Sequence, residues 1–341
     1  MPKINKEKVR QYMLGLIRAD DGDFVKKTVD AFGVARSTVY NYVKKLCEEG
    51  VIQKSEQHDC GYTLVYRSRR YSYQNEGLRE DIIFRRDIAP LLEGFAPEVI
   101  GIWNYAFTEM MNNAIEHSRT EKILVVVSRS AYDTVIMLDD DGTGIFQNIR
   151  DYYLHEKREE LLLEECVALL FAGKFTTMRN QHSGEGIFFT SHMMDSFRIL
   201  SDHILFSRDN FRDDMLIGED VDVVKGTTVL MSLNNQSRKT SREVFDRFSD
   251  IDGGFTRTHL PIAHIFPGGN PVSRSEARRL TAMVEEFKEI TLDYENVEEI
   301  GQAFAHELYV VWRDRRPEVV LINENASDVV LRMIAHAEHS R

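Results

Sequence analysis

The sequence predicts a multidomain α/β protein with three parts. Its 341 residues are too many for one ordinary domain, and its hydrophobic content of 43% is enough to build several cores. The first 70 residues carry helical patterns followed by a hairpin pattern. Helix and strand patterns alternate through the C-terminal third, as in proteins with parallel sheets. We therefore expect a small N-terminal unit, a central domain and a C-terminal α/β domain.

Charge is distributed unevenly along the chain. Through Arg70 there are 14 Lys and Arg against 9 Asp and Glu, a net charge of +5. The whole chain carries −12, so the remainder carries −17. A basic end on an acidic protein favours contact with a polyanion such as nucleic acid.

The sequence gives no sign of export or membrane insertion. No run approaches the roughly 18 apolar residues of a membrane span, and the first ten residues lack the apolar core of a secretion signal. The three cysteines, Cys47, Cys60 and Cys166, are scattered without metal-ligand spacing, and their odd number suits a reducing compartment. We expect a cytoplasmic protein without a membrane partner.

The N-terminal unit begins with apolar residues at helical spacing over residues 4–19. The stretch "TVDAFGVARSTVYNYVKKLCEEGVIQK" then predicts a short helix, a turn at Gly33, and a second helix with Ser37 as N-cap and Gly50 as stop. Residues 51–69 predict a β-hairpin with a polar tip. Over residues 1–70 this order resembles the winged-helix family of DNA-binding domains.

The winged-helix resemblance implies that the second helix enters the major groove while the hairpin touches phosphates. The residues on its outward face would contact DNA: Arg36, Thr38, Asn41, Lys44 and Lys45. Two alternatives stay open, because the same residues form an ordinary solvated helix face and winged helices also bind proteins. A polar stretch over residues 69–77 predicts a linker to the central domain.

The stretch "FTEMMNNAIEHS" predicts an amphipathic helix with an unusual number of polar groups. Glu109 and Asn113 are four residues apart and share one face. Buried carboxylates and amides are costly unless partners satisfy them, so the helix faces either an internal polar network or a ligand. In the second case Asn113 would coordinate Mg²⁺ and Glu109 would orient or deprotonate a water molecule.

Three further segments carry glycines beside polar groups. In "VIMLDDDGTGIF" a strand ends at Asp140, which would accept a hydrogen bond from a base amino group, and Gly142 and Gly144 would let the backbone approach a flat base. In "HSGEGIFF" Gly184 and Gly186 open a helix and would cradle an anion. In "GTTVLMSL" Thr227 enters a strand. Each segment alone is ambiguous.

Taken in order, the four segments resemble the GHKL ATPase family, which includes the bacterial histidine kinases. The resemblance covers residues 77–236 and implies a Bergerat-type α/β sandwich that binds ATP with Mg²⁺. It makes Asn113 the Mg²⁺ ligand, Asp140 the adenine acceptor and Glu109 the general base. The remaining site residues follow by position: Gly142, Gly144 and Thr227 in the base pocket, and Gly184 and Gly186 in the phosphate loop.

The same resemblance places the ATP lid at about residues 147–183. "LHEKREELLLEECVALLFAGKFTT" predicts a helix through Ala172 that Gly173 ends. Lys174, with Arg179 and His182, would touch the γ-phosphate. A solvated basic patch is the alternative for these three side chains.

The C-terminal part, residues 240–341, predicts helix, strand, helix, strand, helix, with Ser273 and Glu276 as an S-x-x-E capping box. "SRSEARRL…FKEITLDYENVEEIGQAFAHELY" resembles STAS-like domains that follow GHKL domains in bacteria. The anti-sigma-factor antagonists, which these domains resemble, are phosphorylated on a serine just after a strand, but Gly301, Gln302 and Ala303 offer no hydroxyl there. This part therefore predicts a docking or dimerisation surface.

Together these features predict an ATP-dependent bacterial regulatory protein. Mg²⁺–ATP binding and slow hydrolysis would switch the DNA or partner contacts of the outer domains, and a homodimer fits both resemblances. Two alternatives stay open: a Ser/Thr protein kinase of the anti-sigma-factor type that acts on a separate protein, and a scaffold that binds ATP without hydrolysing it.

Overall fold

The computed structural model describes residues 5–158, 160–173, 185–210, 214–218, 224–250, 254–266 and 269–339. Within these ranges the chain is a multidomain α/β protein with several separate sheets, which confirms the predicted fold class at that level. Among the described helices, none combines the length and apolar composition needed to cross a bilayer.

The helices are α1 (Lys6–Arg18), α2 (Phe24–Phe32), α3 (Arg36–Glu48), α4 (Glu80–Ile83), α5 (Pro97–His117), α6 (Ile145–Tyr152), α7 (Leu163–Ala172), α8 (Gly186–Met193), α9 (Ser241–Phe248), α10 (Ile262–Ile265), α11 (Arg274–Met283), α12 (Gln302–His306), α13 (Arg313–Arg315) and α14 (Asp328–His339). The strands are β1 (Ile52–Lys54), β2 (Tyr62–Leu64), β3 (Arg67–Gln74), β4 (Lys122–Arg129), β5 (Asp133–Asp140), β6 (Ser196–Asp202), β7 (Ile204–Asp209), β8 (Asp214–Gly218), β9 (Val224–Asn234), β10 (Ser249–Asp250), β11 (Gly254–Phe255), β12 (Arg257–Pro261), β13 (Glu289–Asp293) and β14 (Val320–Glu324).

The N-terminal unit consists of α1, α2 and α3 followed by the antiparallel pair β1–β2. Its own hydrophobic cluster includes Val9, Met13 and Ile17 from α1 and Val39 and Val43 from α3. These buried residues are spaced three or four positions apart, as on one face of a helix. Gly33, at φ +62°, ends α2 in the left-handed conformation, so the predicted turn is confirmed.

Ser37 does not cap α3, contrary to the prediction. The N-cap is Ala35, which has extended backbone angles and no side-chain hydrogen bond, and Ser37 lies in the first turn of the helix. The Ala35 carbonyl accepts the Thr38 N–H at 2.9 Å and the Val39 N–H at 3.3 Å. The helix thus starts two residues earlier than it would with Ser37 as its N-cap.

The predicted linker at residues 69–77 is also wrong, because β3 occupies Arg67–Gln74. This strand pairs antiparallel with β4 along its whole length. Its period-two pattern sets Tyr73, which is buried, and Tyr71, which is half-buried, on one face. Both donate their hydroxyls to Asp87, Tyr71 to the carbonyl at 3.1 Å and Tyr73 to the carboxylate at 2.8 Å. Tertiary packing turns a polar stretch into an edge strand.

The central domain is a seven-stranded antiparallel sheet in the order β3-β4-β5-β9-β6-β7-β8. One face carries Ile123, Val125, Ile136, Leu138 and Phe197, all in the main hydrophobic cluster with α5 and α8. We call this the inner face. Asp140 and Thr227 have the same parity and therefore also lie on it.

The C-terminal domain contains the parallel sheet β12-β13-β14, as the alternating pattern predicted. The capping box is confirmed, since the Ser273 hydroxyl accepts the Glu276 N–H at 3.2 Å and the Glu276 carboxylate accepts the Ser273 N–H at 2.7 Å. Phe255 packs on Phe188 of the central domain, with ring centroids 4.7 Å apart. The two domains therefore share one hydrophobic cluster.

Candidate functional site

The predicted site residues lie on five elements of the central domain. Glu109 and Asn113 are one turn apart on α5, Asp140 ends β5, Gly144 caps α6, Gly186 begins α8 and Thr227 lies near the start of β9. Distant parts of the sequence thus meet in two groups: Asp140 with Thr227 and the start of α6, and Glu109 with Gly186.

Asp140 lies at the centre of this region and is 6% exposed. It is directly opposite Thr227 in the β5–β9 pairing. Its Oδ1 accepts the Gly142 N–H at 3.0 Å. Burial raises the pKa of Asp140 to about 6, and the charges of Asp139 and Asp141 add to that effect. A buried carboxylate with a raised pKa is suited to receive a hydrogen bond from a ligand.

Gly142 and Gly226 fit the backbone closely around Asp140. A Cβ on Gly142 would overlap the carbonyl oxygen of Ser118, at the end of α5. A Cβ on Gly226 would overlap the carbonyl oxygen of Asp140, and Gly226 also has φ +82°. Both positions therefore require glycine for close approach, and Gly226 also requires it for its conformation.

Gly144 is held from the other side by β6 and β9. A Cβ there would lie 2.5 Å from Ser201 Oγ and 2.7 Å from Asp202 Oδ2. The next residue, Ile145, donates its backbone N–H to Ser201 Oγ at 3.1 Å and to Thr227 Oγ1 at 3.0 Å. Thr227 thus fixes the start of α6 besides lying beside Asp140.

Glu109 meets the start of α8. A Cβ on Gly186 would overlap Glu109 Oε2, so only a glycine admits the carboxylate this close to the backbone. The first turn of α8 is where a helix offers unpaired N–H groups. The structure therefore brings the predicted base and part of the predicted phosphate loop together.

Asn113 is half-buried on the same helix as Glu109. Within the described residues, no cluster of three or more His, Cys, Asp or Glu side chains could hold a metal ion. Mg²⁺ at nucleotide sites usually takes only one or two protein ligands and gains the rest from phosphate and water. One amide oxygen fits that mode.

Several predicted residues fall outside the described part of the chain. Lys174 and Gly184, with Arg179, His182 and most of the loop after Gly173, belong to this group. Gly173 itself ends α7 at φ +96°, as predicted.

The sequence-based prediction missed Ser118, Ser201 and Asp202. Ser118 is the last residue of the quoted helical stretch, and its carbonyl accepts the Thr143 N–H at 2.6 Å. Ser201 and Asp202 sit at a register shift in the β6–β9 pairing, and Asp202 has φ +57°. A Ser-Asp pair at a strand end has no sequence signal of its own, because its role depends on the neighbouring strand β9, where the Gly226 carbonyl accepts the Ser201 hydroxyl at 2.8 Å.

The predicted DNA-contacting residues all lie on α3. Arg36, Asn41, Lys44 and Lys45 are exposed, and Thr38 is half-buried. Lys44 pairs with Glu48 at 3.8 Å and Lys45 with Glu49 at 3.6 Å. Exposed pairs of this kind are weak and leave the lysines available to a stronger anion.

Comparison with known proteins identifies one segment. Residues 276–330 match the family model described as STAS-like domain of unknown function (DUF4325). The match runs from α11 into α14 and confirms the predicted STAS-like character of the C-terminal part. No curated protein matches the chain.

Proposed function

We propose that the central domain binds Mg²⁺–ATP in the manner of GHKL ATPases and hydrolyses it slowly. One observation supports this proposal: Asp140, Gly142, Gly144 and Thr227, predicted from separate stretches of sequence, contact one another or share neighbours where β5 ends. A buried acceptor beside closely fitted glycines suits a purine, and the start of a helix suits its phosphates.

In this proposal each residue has a defined task. Asp140 accepts from the adenine amino group, while Gly142, Gly144 and Thr227 shape the base pocket. Asn113 holds Mg²⁺, which neutralises phosphate charge. Glu109 positions and deprotonates the attacking water.

The flanking domains are the proposed output of the switch. The N-terminal unit offers the exposed basic face of α3 to DNA, and the STAS-like domain offers a protein-binding surface. Both are attached to the central domain by polar contacts, such as Arg18 with Asp133 at 2.7 Å and Thr258 with the Ala172 carbonyl at 3.1 Å. A change of shape in the central domain would therefore alter their placement.

Calorimetric titration with ATP and Mg²⁺ tests the proposal. We expect Asp140→Asn to abolish measurable binding, because a hydrogen bond to a charged acceptor contributes about 1.5–3 kcal/mol and the amide turns a donor toward the adenine amino group. Asp141→Asn is the matched control. The Asp141 carboxylate is next in sequence to Asp140, but it accepts a hydrogen bond from the Thr120 hydroxyl and has no role in the proposed base pocket. Wild-type affinity in Asp140→Asn would show that the base assignment is wrong.

A further inference from the structure

The face of the central sheet opposite the candidate site has an unusual composition. In an antiparallel sheet, the face that does not pack on a core normally carries polar side chains. Here aliphatic side chains occupy it on five strands: Leu124, Val126, Val135, Met137, Leu200, Leu205 and Leu230. All are half-buried, and none belongs to either hydrophobic cluster, as a core member or as a packed neighbour. We call this the outer face.

One row of the outer face is aliphatic in the middle and basic at both ends. The register aligns Arg70, Val126, Met137, Leu230 and Arg198 across β3, β4, β5, β9 and β6. Both arginines are exposed. We call this row the outer stripe.

The N-terminal unit forms a wall at one end of the outer face. Asp133 has the parity of Met137 and accepts hydrogen bonds from Arg18 at 2.7 Å and from Tyr66 at 2.8 Å. A cavity of about 140 Å³ lies between this unit and the sheet. The residues that line it include Gly15, Arg18 and Arg198. The outer stripe thus runs alongside a wall, across the strands.

We propose that the outer stripe binds an amphipathic helix of a partner protein whose aliphatic face is flanked by carboxylates. Arg70 and Arg198 are four strand spacings apart, which is roughly 19 Å. On an α-helix, residues about 14 positions apart lie on the same face and are about 21 Å apart along the axis, which is close to this distance. Acidic residues at that separation would reach both arginines while the apolar side chains between them cover Val126, Met137 and Leu230.

The charge pattern disfavours a second copy of this chain as the occupant. The stripe is symmetric about Met137, so a two-fold axis that stacks it on itself sets arginine against arginine. It also disfavours nucleic acid, because single strands need aromatic side chains for stacking and the stripe has only aliphatic ones. The proposal does not depend on ATP binding.

Fluorescence anisotropy with designed peptides tests the proposal on the full chain. The probe is a fluorescein-labelled helical peptide of about 18 residues with a Leu/Ile face and glutamates about 14 residues apart, so that both lie on that face. Its matched partner has lysines instead. We expect the glutamate peptide to bind at least about tenfold more tightly. Arg70→Glu with Arg198→Glu should reverse the preference, and Met137→Asp should weaken both peptides.

The control is Arg69→Glu, which changes the same edge strand on its other face and should leave the preference unchanged. Equal binding of both peptides, or a preference unaffected by the double charge reversal, would overturn the proposal. So would a wild-type dimer in sedimentation that Met137→Asp converts to monomer, since the occupant would then be a second copy. Labelled DNA that is released by Met137→Asp would assign the face to nucleic acid instead.

Discussion

The Asp140 carboxylate is buried, and burial makes its charged form less favourable. Burial and the neighbouring charges of Asp139 and Asp141 raise its pKa to about 6, although the Gly142 and Thr227 backbone N–H groups oppose the shift. Between the ordinary pKa of 3.8 and about 6, the folded protein binds more protons than the unfolded chain. The stability contributed by this group therefore falls as pH rises through that window and stays low above it.

We predict that Asp140→Asn stabilises the protein at pH 7, by up to about 2–3 kcal/mol, because the amide has no charge to bury. Below about pH 4 both proteins carry a neutral group here and the difference should vanish. Urea unfolding at several pH values measures it. Asp141→Asn is the control, and we expect it to change the free energy of unfolding in the opposite direction. The Thr120 hydroxyl lowers the pKa of Asp141, so the charged form of Asp141 stabilises the fold. An equal gain at pH 4 and pH 7 would contradict the prediction.

Glu109 has a separate test at the residue scale. We predict that Glu109→Ala keeps ATP binding but loses turnover by about 100-fold or more, the usual contribution of a general base. Phosphate release under single-turnover conditions measures it, and Glu116→Ala on the same helix is the control. Unchanged release would remove the proposed role and favour either a different base or a scaffold.

At the scale of elements, the most local signals gave the most accurate predictions. The capping box of α11 depends only on Ser273 and Glu276, three residues apart, so the sequence contains all of its chemistry. The start of α3 has no such local signal, because its N-cap, Ala35, makes only backbone hydrogen bonds and no side chain marks the boundary. Strand β3 was missed for a related reason, since its pairing partner lies on β4, about fifty residues later.

The residues of the candidate site also differ in whether their signal is local in the sequence. Asp140, Gly142 and Gly186 could be singled out because a motif carries each of them within a few residues. Ser201 could not be singled out in this way. Its hydroxyl donates a hydrogen bond to the Gly226 carbonyl at 2.8 Å, and this contact exists only because β6 lies beside β9 in the fold. Sequence patterns thus single out residues whose motif is local, and they miss residues such as Ser201 that hold the loops through strand pairing.

We predict that Ser273→Ala lowers the free energy of unfolding by about 1 kcal/mol, because the Glu276 N–H loses its acceptor. Denaturant unfolding measures the change. Ser275→Ala is the matched control, since Ser275 lies in the same turn and its hydroxyl meets only the Ser273 hydroxyl, at 2.9 Å, among the contacts described. A loss of equal size in the control would show that the box contributes nothing specific.

At the scale of the whole molecule, β5 connects the candidate site to the contact that holds the N-terminal unit. Asp140 ends the strand at the candidate site, and Asp133 begins it where the N-terminal unit docks. Seven residues of strand separate them by roughly 23 Å. Asp133 is only 2% exposed, and its carboxylate accepts from Arg18, Tyr66, Ser130 and Ser232. A buried carboxylate with this many donors fixes orientation, because each donor constrains it from a different element.

We predict that Arg18→Leu loosens the N-terminal unit without unfolding the central sheet. Asp133 would lose its charged donor, at a cost of about 1–3 kcal/mol, since hydrogen bonds to charged groups are worth that much and the Arg18 side chain is partly exposed. Native-state hydrogen exchange should then be faster in α1 and β2 and unchanged in β5. Arg10→Leu is the matched control, because Arg10 lies on the same helix and pairs with Glu49 inside the N-terminal unit, at 3.5 Å. If both variants sped exchange in α1 equally, or if β5 opened with them, the docking contact would not be what holds the unit in place.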